Sequence, residues 1–318
     1  MTNFHHVSVL LAGVLEGLEV KPRGIYVDAT LGGAGHSKAI FDRLRPEGML
    51  IGIDQDPAAL RAAEDRLSGR EQQVKFLQGN FCELKNLLGD IGIHQIDGIL
   101  FDLGVSSHQL DTPERGFSYN FEGPLDMRMN PTAELTADYI VHEWSEDEIA
   151  KILFEYGEEK FARRIAGHIV KKRQQKKIAN TLELAEIIKE AIPAATRRNG
   201  PHPAKRSFQA IRIAVNQELE ILEKAFIDAI ELLKPGGRIC VITFHSLEDR
   251  ITKKIFQKLE NPCTCPPRLP MCACGRVPLI RSVGKVRGPN EDELKYNPRA
   301  RSAKLRVCEK LKQSEMEG

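Results

Sequence analysis

A chain of 318 residues, 42% hydrophobic and 28% charged, is long enough to bury a sizeable core, and this composition excludes disorder as the dominant state. With 46 basic against 44 acidic side chains the formal charge is only +2, too small for a polybasic tail protein. No apolar run approaches the roughly 18 residues of a membrane span, and Met1–Leu10 lacks the charged-then-apolar order of a secretory signal, so the expected compartment is the cytoplasm.

The N-terminal third alternates short apolar runs with amphipathic stretches, the rhythm of an α/β fold with a mostly parallel sheet. Strands are predicted at Gly24–Leu31, Met49–Asp54, Val74–Gln78 and Ile96–Leu103, with helices at Ser37–Leu44, Pro57–Leu67 and Cys82–Leu88 between them. Asp56 and Pro57 suit a helix start, an acid favouring the dipole and proline the first turn. After Asp111 the pattern turns wholly helical, at Leu135–Trp144, Glu146–Tyr156, Glu158–Arg173 and Leu182–Ala191. One long helical run from Phe208 to Leu233 follows, then Pro235-Gly236-Gly237, a strand at Arg238–Phe244 and a helix at Leu247–Leu259. The expected organisation is therefore a sheet domain built from residues 1–111 and 207–318, with an inserted helical domain over 112–206.

Asp28 to His36, with glycines at Gly32, Gly33 and Gly35, lies directly after a strand and before a helix, where an open parallel sheet places its ligand crevice. Glycine lets the backbone approach a ligand, although a plain strand-to-helix turn needs it too. Asp54 ends the second strand, roughly 20 residues on, where a carboxylate accepts both hydroxyls of a ribose. Lys38 stands where a nicotinamide-binding loop would need its third glycine, and no Lys-Ser or Lys-Thr pair completes a triphosphate loop. A nucleoside without a pyrophosphate fits better, and S-adenosylmethionine is such a cofactor. Asp28 or a neighbouring loop amide would face its methionine part, and Phe81, otherwise a core aromatic, would flank its adenine. Asp102 closes the fourth strand at the same edge and is the candidate catalytic residue, with a helix cap as its structural alternative.

Asp28–Ser37, Asp102-Leu-Gly-Val-Ser-Ser-His-Gln109, Gly123-Pro-Leu-Asp-Met-Arg-Met129, Phe208-Gln-Ala-Ile-Arg212, Phe244-His-Ser-Leu-Glu-Asp-Arg250 and Asn297-Pro-Arg-Ala-Arg-Ser302 resemble the bacterial ribosomal RNA small-subunit methyltransferase H family, over nearly the whole chain. The resemblance implies a Rossmann-like class I methyltransferase sheet with an inserted all-helical domain. It implies transfer of methyl from S-adenosylmethionine to the exocyclic N4 of a cytidine in 16S ribosomal RNA, near the decoding site of the small subunit. The family's cofactor positions fall on Gly33, Ala34, Gly35 and His36, then Asp54, Phe81, Asp102 and Gln109; the family often has glycine at Ala34.

The amino group of cytosine is a weak nucleophile, so positioning it and accepting its proton should dominate catalysis. Asp102 is the expected acceptor of a hydrogen bond from that amine, with a carbonyl near Leu103 as a partner in the role. An unstacked base needs aromatic platforms, and Phe117, Tyr119 and Phe121 alternate with polar residues, as a segment packed on the core also would. Asp126 and Arg128 either read the cytosine edge or pair with each other. Lys160–Lys177 holds eight basic residues and no acid, among them Lys171, Lys172 and Arg173; Arg197–Arg212 holds five more, including Arg197, Arg198 and Arg212. With Arg299 and Arg301 near the C-terminus, these clusters form an expected phosphate-tracking surface, though charge runs are commonly plain solvated faces. His245 either contacts RNA or caps the following helix.

Cys263, Cys265, Cys272 and Cys274 crowd between prolines, close enough to surround one tetrahedral structural zinc, with free thiols or redox-sensitive disulfides as alternatives. Two other functional classes compete: a methyltransferase acting on DNA or at another RNA position, and an RNA-binding assembly factor without turnover. Monomer and homodimer both stay open.

Overall fold

A computed structural model describes residues 8–69, 73–198, 200–266 and 273–312. The chain divides into two units, the first formed by Met1–Gly104 with Glu220–Gly318 and the second by Val105–Leu219. The first segment runs α1 (Leu11–Leu18), β1 (Ile25–Asp28), α2 (Gly35–Phe41), β2 (Met49–Asp54), α3 (Pro57–Arg66), β3 (Val74–Gln78), α4 (Leu84–Asp90) and β4 (Ile96–Asp102). The second unit holds α5 (Ser107–Asp111), α6 (Ala137–Glu143), α7 (Glu146–Glu155), α8 (Ala162–Gln175), α9 (Thr181–Ala191), α10 (Ala194–Arg197) and α11 (Lys205–Asn216). The chain then returns through α12 (Leu222–Leu232), β5 (Leu233–Thr243), α13 (Ser246–Glu260), β6 (Ile280–Ser282), α14 (Glu291–Tyr296) and β7 (Lys304–Lys310).

The first unit carries a seven-stranded sheet in the order β3-β2-β1-β4-β5-β7-β6. The first five of these strands pair in parallel, and β7 pairs antiparallel with both β5 and β6. Every residue of β4 from Ile96 to Phe101 is buried, the near-continuous apolar run of a strand covered on both faces. Alternate residues show the two layers. Leu100, Cys240 and Ile242 share a core with Val14, Leu18 and Ile40, while Phe101 meets Phe226 of α12 edge-on, ring centroids 5.2 Å apart. Each fully buried leucine, isoleucine or phenylalanine contributes roughly 1.5–3 kcal/mol relative to exposure. Helix α3 starts as expected, with Asp56 accepting the Ala58 N–H at 3.0 Å and Pro57 in the first turn.

The second unit has its own core, gathered from α6, α7, α8, α9 and α11 around Ile140, Leu153, Ile165, Leu184 and Ile211. Ser145 and Glu148 close a reciprocal capping box at the start of α7. The division falls at Gly104 and Leu219, where the sequence suggested 111 and 206, because α11 packs into the helical core through Phe208, Ile211 and Val215.

The predicted run from Phe208 to Leu233 is two helices, because Gln217 takes a left-handed conformation (φ 51°) that ends α11. Strand β5 begins at Leu233, ahead of Arg238, with a bulge opposite Ile96–Gly98 that absorbs Pro235-Gly236-Gly237.

Candidate functional site

Three parallel neighbours in the sheet, β2, β1 and β4, end in Asp54, Asp28 and Asp102, so their carboxylates line one edge. The register sets Asp28 beside Gly52 on one side and Leu100 on the other. Asp28 is 1% exposed. Its Oδ2 accepts the Ser37 hydroxyl at 2.7 Å and its Oδ1 the Thr30 N–H at 3.2 Å. Burial drives its carboxyl up to about 7, and the neighbouring Asp54 adds to the rise. Asp28 thus pins the loop between β1 and α2, and its side chain is committed to that loop, which argues against its expected role facing the methionine part of a cofactor.

Asp54 fastens the same loop from the other strand, since its Oδ2 accepts the Gly32 N–H at 2.9 Å and its Oδ1 the Asp56 N–H at 2.9 Å. Burial raises its carboxyl to about 6 against these hydrogen bonds. A carboxylate has about four lone-pair sites, so Asp54 retains acceptor capacity. Within the loop, a side chain built on Gly33 would meet nothing within 4 Å, so its backbone faces open space. Arg66 Nη1 donates to the Gly33 carbonyl at 2.7 Å. Ala34 adopts φ 54°, the left-handed conformation that glycine enters freely. The strain of a methyl there, about 1–2 kcal/mol, is partly offset by its complete burial. At Gly35 a side chain would lie 2.0 Å from Ser8 Oγ, so only glycine fits.

Asp102 is anchored through its backbone, its N–H donating to Thr30 Oγ1 at 2.6 Å. Its side chain is less committed, for Oδ1 is buried without a hydrogen-bond partner. Oδ2 lies 3.5 Å from His36 Nδ1. His36 Nε2 is 2.9 Å from the Val9 carbonyl, and because a carbonyl only accepts, Nε2 carries the hydrogen. The lone pair on Nδ1 therefore faces a carboxylate oxygen, an arrangement able to take up a proton between them. Burial first, then the charges of Asp28 and Glu248, push the Asp102 carboxyl well above its ordinary value. Glu248 caps the adjoining turn: its Oε2 accepts the Phe244 and His245 N–H groups at 2.7 and 3.2 Å. The spacing of a helix cap and an acid three residues on was the available signal for that role.

Phe81 opens a short 3-10 helix and stands edge-on to Phe101 at 5.5 Å, next to the end of β3. Gln109 belongs to the helical unit, where its side chain accepts the Ser106 N–H at 3.1 Å and closes a capping box on α5.

The residues expected to meet RNA divide by burial and pairing. Phe117 is 5% exposed within the helical core and offers no face for stacking, which corrects its assignment as a base platform. Tyr119 stacks on His202 at 4.6 Å, whereas Phe121 is 48% exposed. Arg128 grips Asp126 through both carboxylate oxygens, at 2.9 and 2.7 Å. Against the opposing effect of burial, these bonds hold the Asp126 carboxyl below its ordinary value. The two residues pair instead of presenting free edges. Arg173 donates to the Val141 and Trp144 carbonyls, each at 2.7 Å, and so finishes α6. Arg212 pairs with Glu218 through two bonds of 2.8 Å. Internal pairing corrects the assignment of Arg173 and Arg212 to a phosphate surface, and Arg128 takes its pairing alternative. Lys172 lies 3.1 Å from Glu190, Arg197 is part-buried, and Lys171, Arg198, Arg299 and Arg301 are exposed. His245 caps α13, its Nδ1 accepting the Glu248 N–H at 3.4 Å. Its Nε2 is 3.0 Å from Glu248 Oε1 but buried in poor alignment for a hydrogen bond.

The sulfurs of Cys263, Cys265 and Cys274 lie within 4.8 Å of one another. Cys272 lies outside the described residues. No helix among the described residues is long and apolar enough to cross a membrane.

Residues 3–311 match the profile of the MraW methylase family. A curated relative from Brevibacillus brevis, named ribosomal RNA small subunit methyltransferase H, is 56% identical over 310 residues, covering 97% of this chain and 99% of the relative. A relative of the same name from Clostridioides difficile is 52% identical over 309 residues, covering 97% and 99%. Among solved structures, an rRNA methylase from Streptococcus thermophilus aligns with a TM-score of 0.41 at 11% identity, covering 95% of this chain and 94% of the other.

Proposed function

Because the chain belongs to the MraW methylase family, we propose that it methylates 16S ribosomal RNA at the exocyclic N4 of a cytidine near the decoding site of the small subunit, with S-adenosylmethionine as donor. The observation that carries this reading is the partnerless buried Oδ1 of Asp102, at the end of β4 and on one edge with Asp28 and Asp54. The named relatives supply the RNA substrate class.

The residues present fit the cofactor. Open space at Gly33 admits a ligand against the backbone, Asp54 keeps lone pairs for ribose hydroxyls, and an acidic edge suits a cationic sulfonium. Gly33, Ala34, Gly35 and His36 would hold it together with Asp54, Phe81 and Asp102. When bound, S-adenosylmethionine supplies an electrophilic methyl group.

Asp102 Oδ1 accepts a hydrogen bond from the cytosine amine and orients its lone pair away from the ring. As nitrogen gains its methyl it sheds a proton, which Asp102 takes and shares with His36 Nδ1 across the 3.5 Å gap. His36 acts as a positioning residue, fixed by its Nε2 bond to Val9. The helical unit, as substrate-recognition domain, presents the RNA. A partnerless carboxylate oxygen favours turnover over an assembly factor without it, and the methylated position is decided by the product.

Small subunits lacking the mark, incubated with enzyme and cofactor and digested for nucleoside mass spectrometry, should yield N4-methylated cytidine. Product at another position, or none, removes this reading. Asp102→Asn should lower kcat by about 10²–10⁴-fold at saturating cofactor, the usual worth of a positioned proton acceptor.

A further inference from the structure

The segment between α13 and β6 is closed at its neck, and none of its described residues, 261–266 and 273–279, is buried. The Leu279 N–H donates to the Leu259 carbonyl at 3.0 Å, and Ser282 binds Glu260 through backbone and hydroxyl at 2.6 and 2.9 Å. Beyond that neck, Val277 is 43% and Leu279 37% exposed, and Pro262 and Pro266 withhold backbone donors. Burial of apolar surface therefore does little to hold these described residues in one conformation. What they do contain is sulfur: Cys263 and Cys274 place their Sγ atoms 3.9 Å apart, and Cys265 completes a triangle whose sides are all within 4.8 Å.

We infer that Cys263, Cys265 and Cys274 bind one zinc ion, which ties 261–266 to 273–279. Zinc–thiolate bonds of about 2.3 Å in a tetrahedron put neighbouring sulfurs about 3.8 Å apart, and the Cys263–Cys274 separation of 3.9 Å matches that edge. A disulfide would need about 2.05 Å, so the two sulfurs stand as neighbours around a centre and not as a bond. The Ala273 N–H points at Cys265 Sγ from 3.3 Å, which holds that sulfur beside the other two. Soft thiolates in a compact cluster select zinc or an iron–sulfur centre over hard cations. A short, exposed loop suits the single ion, which needs no enclosed cavity. Binding releases the thiol protons to solvent and involves no redox change. Because zinc would act on a loop that contributes none of the strand-edge carboxylates, the inference stands independently of the proposed methyl transfer.

The test uses the full chain, purified without a polyhistidine tag or chelator, under reductant. Elemental analysis should find one zinc per chain. Cys263→Ser and Cys274→Ser should each drop the content to background, while Cys82→Ser retains it. Cobalt substitution should give the intense visible bands of tetrahedral thiolate coordination. Stripping the ion should expose the chain at 261–266 and 273–279 to protease while thermal melting still reports a folded sheet. Should the reduced chain take up no zinc in competition with a chelating dye, the staple does not exist. Zinc retained equally by both serine variants would show an adventitious ion only, and iron in its place would also overturn the assignment.

Discussion

Asp28 and Asp54 sit where a carboxylate is least at ease when charged, and this gives the cofactor-free protein an unusual pH response. Their carboxyls rise to about 7 and about 6 in the fold, against about 3.9 in an unfolded chain. The folded state therefore holds protons more tightly. The stability these groups contribute is full below about pH 4 and is lost as pH rises through 6 to 7. Thermal melts of the cofactor-free enzyme should accordingly shift upward as pH falls from about 8 to about 5. Asp28→Asn should flatten that trend and raise the melting temperature at the alkaline end. Asp126, Asp249 and Glu309, whose partners hold them below their ordinary values against burial, oppose the trend only in stronger acid. A cationic cofactor reverses the preference, so its calorimetric affinity should strengthen with rising pH over the same window; an affinity independent of pH would remove the carboxylates from the site. The three acids were legible in the sequence because each closes an apolar strand. Their division of labour was not, since the bonds from Ser37 and Thr30 that occupy Asp28 exist only once the loop has folded.

Among the elements, legibility follows the hydrophobic period. Strands β2 and β3 match their predicted bounds because turn residues punctuate their apolar-rich runs. Strand β7, read as Lys-Leu-Arg-Val-Cys-Glu-Lys, alternates charge with apolar residues and escaped notice. Its charges are satisfied across the sheet by partners remote in sequence, such as Arg238 bonding Glu309 at 2.9 Å. The break at Gln217 was hidden for a similar reason, because no glycine or proline marks it. Arg173 shows how tertiary context reassigns a charge: it reads as part of a basic run, yet it serves the carboxyl end of α6. Arg173→Ala should cost the helical unit about 1–3 kcal/mol, the penalty for stranding buried carbonyls, measurable by denaturant melts. Lys171→Ala, on the same helix but exposed, should leave the melts unchanged.

For the molecule as a whole, a formal charge of +2 means that any hold on RNA comes from local placement of basic residues and not from a global field. Exposure and pairing then separate the contributors. Substituting Lys171, Arg198 or Arg301 by alanine, wherever one contacts a phosphate, should reduce the slope of log affinity against log salt by about 0.7–0.9. Arg128 and Arg212, already committed to Asp126 and Glu218, should leave the slope unaltered. Filter binding over a salt series would reveal the division, and equal effects for both sets would refute it. The discontinuous sheet was itself readable, from the loss and return of strand rhythm, although the edges of the insert moved with α11.

The adjacency of β4 and β5 carries a cost in time. These strands zip together only after all of Val105–Leu219, which the chain emits between them, has been gathered in. Early collapse of the helical segment would shorten that tether, so lesions in its interior should delay refolding of the sheet as well as weaken the helices. A nascent chain would meanwhile expose the open flank of β4, a sticky edge awaiting its partner.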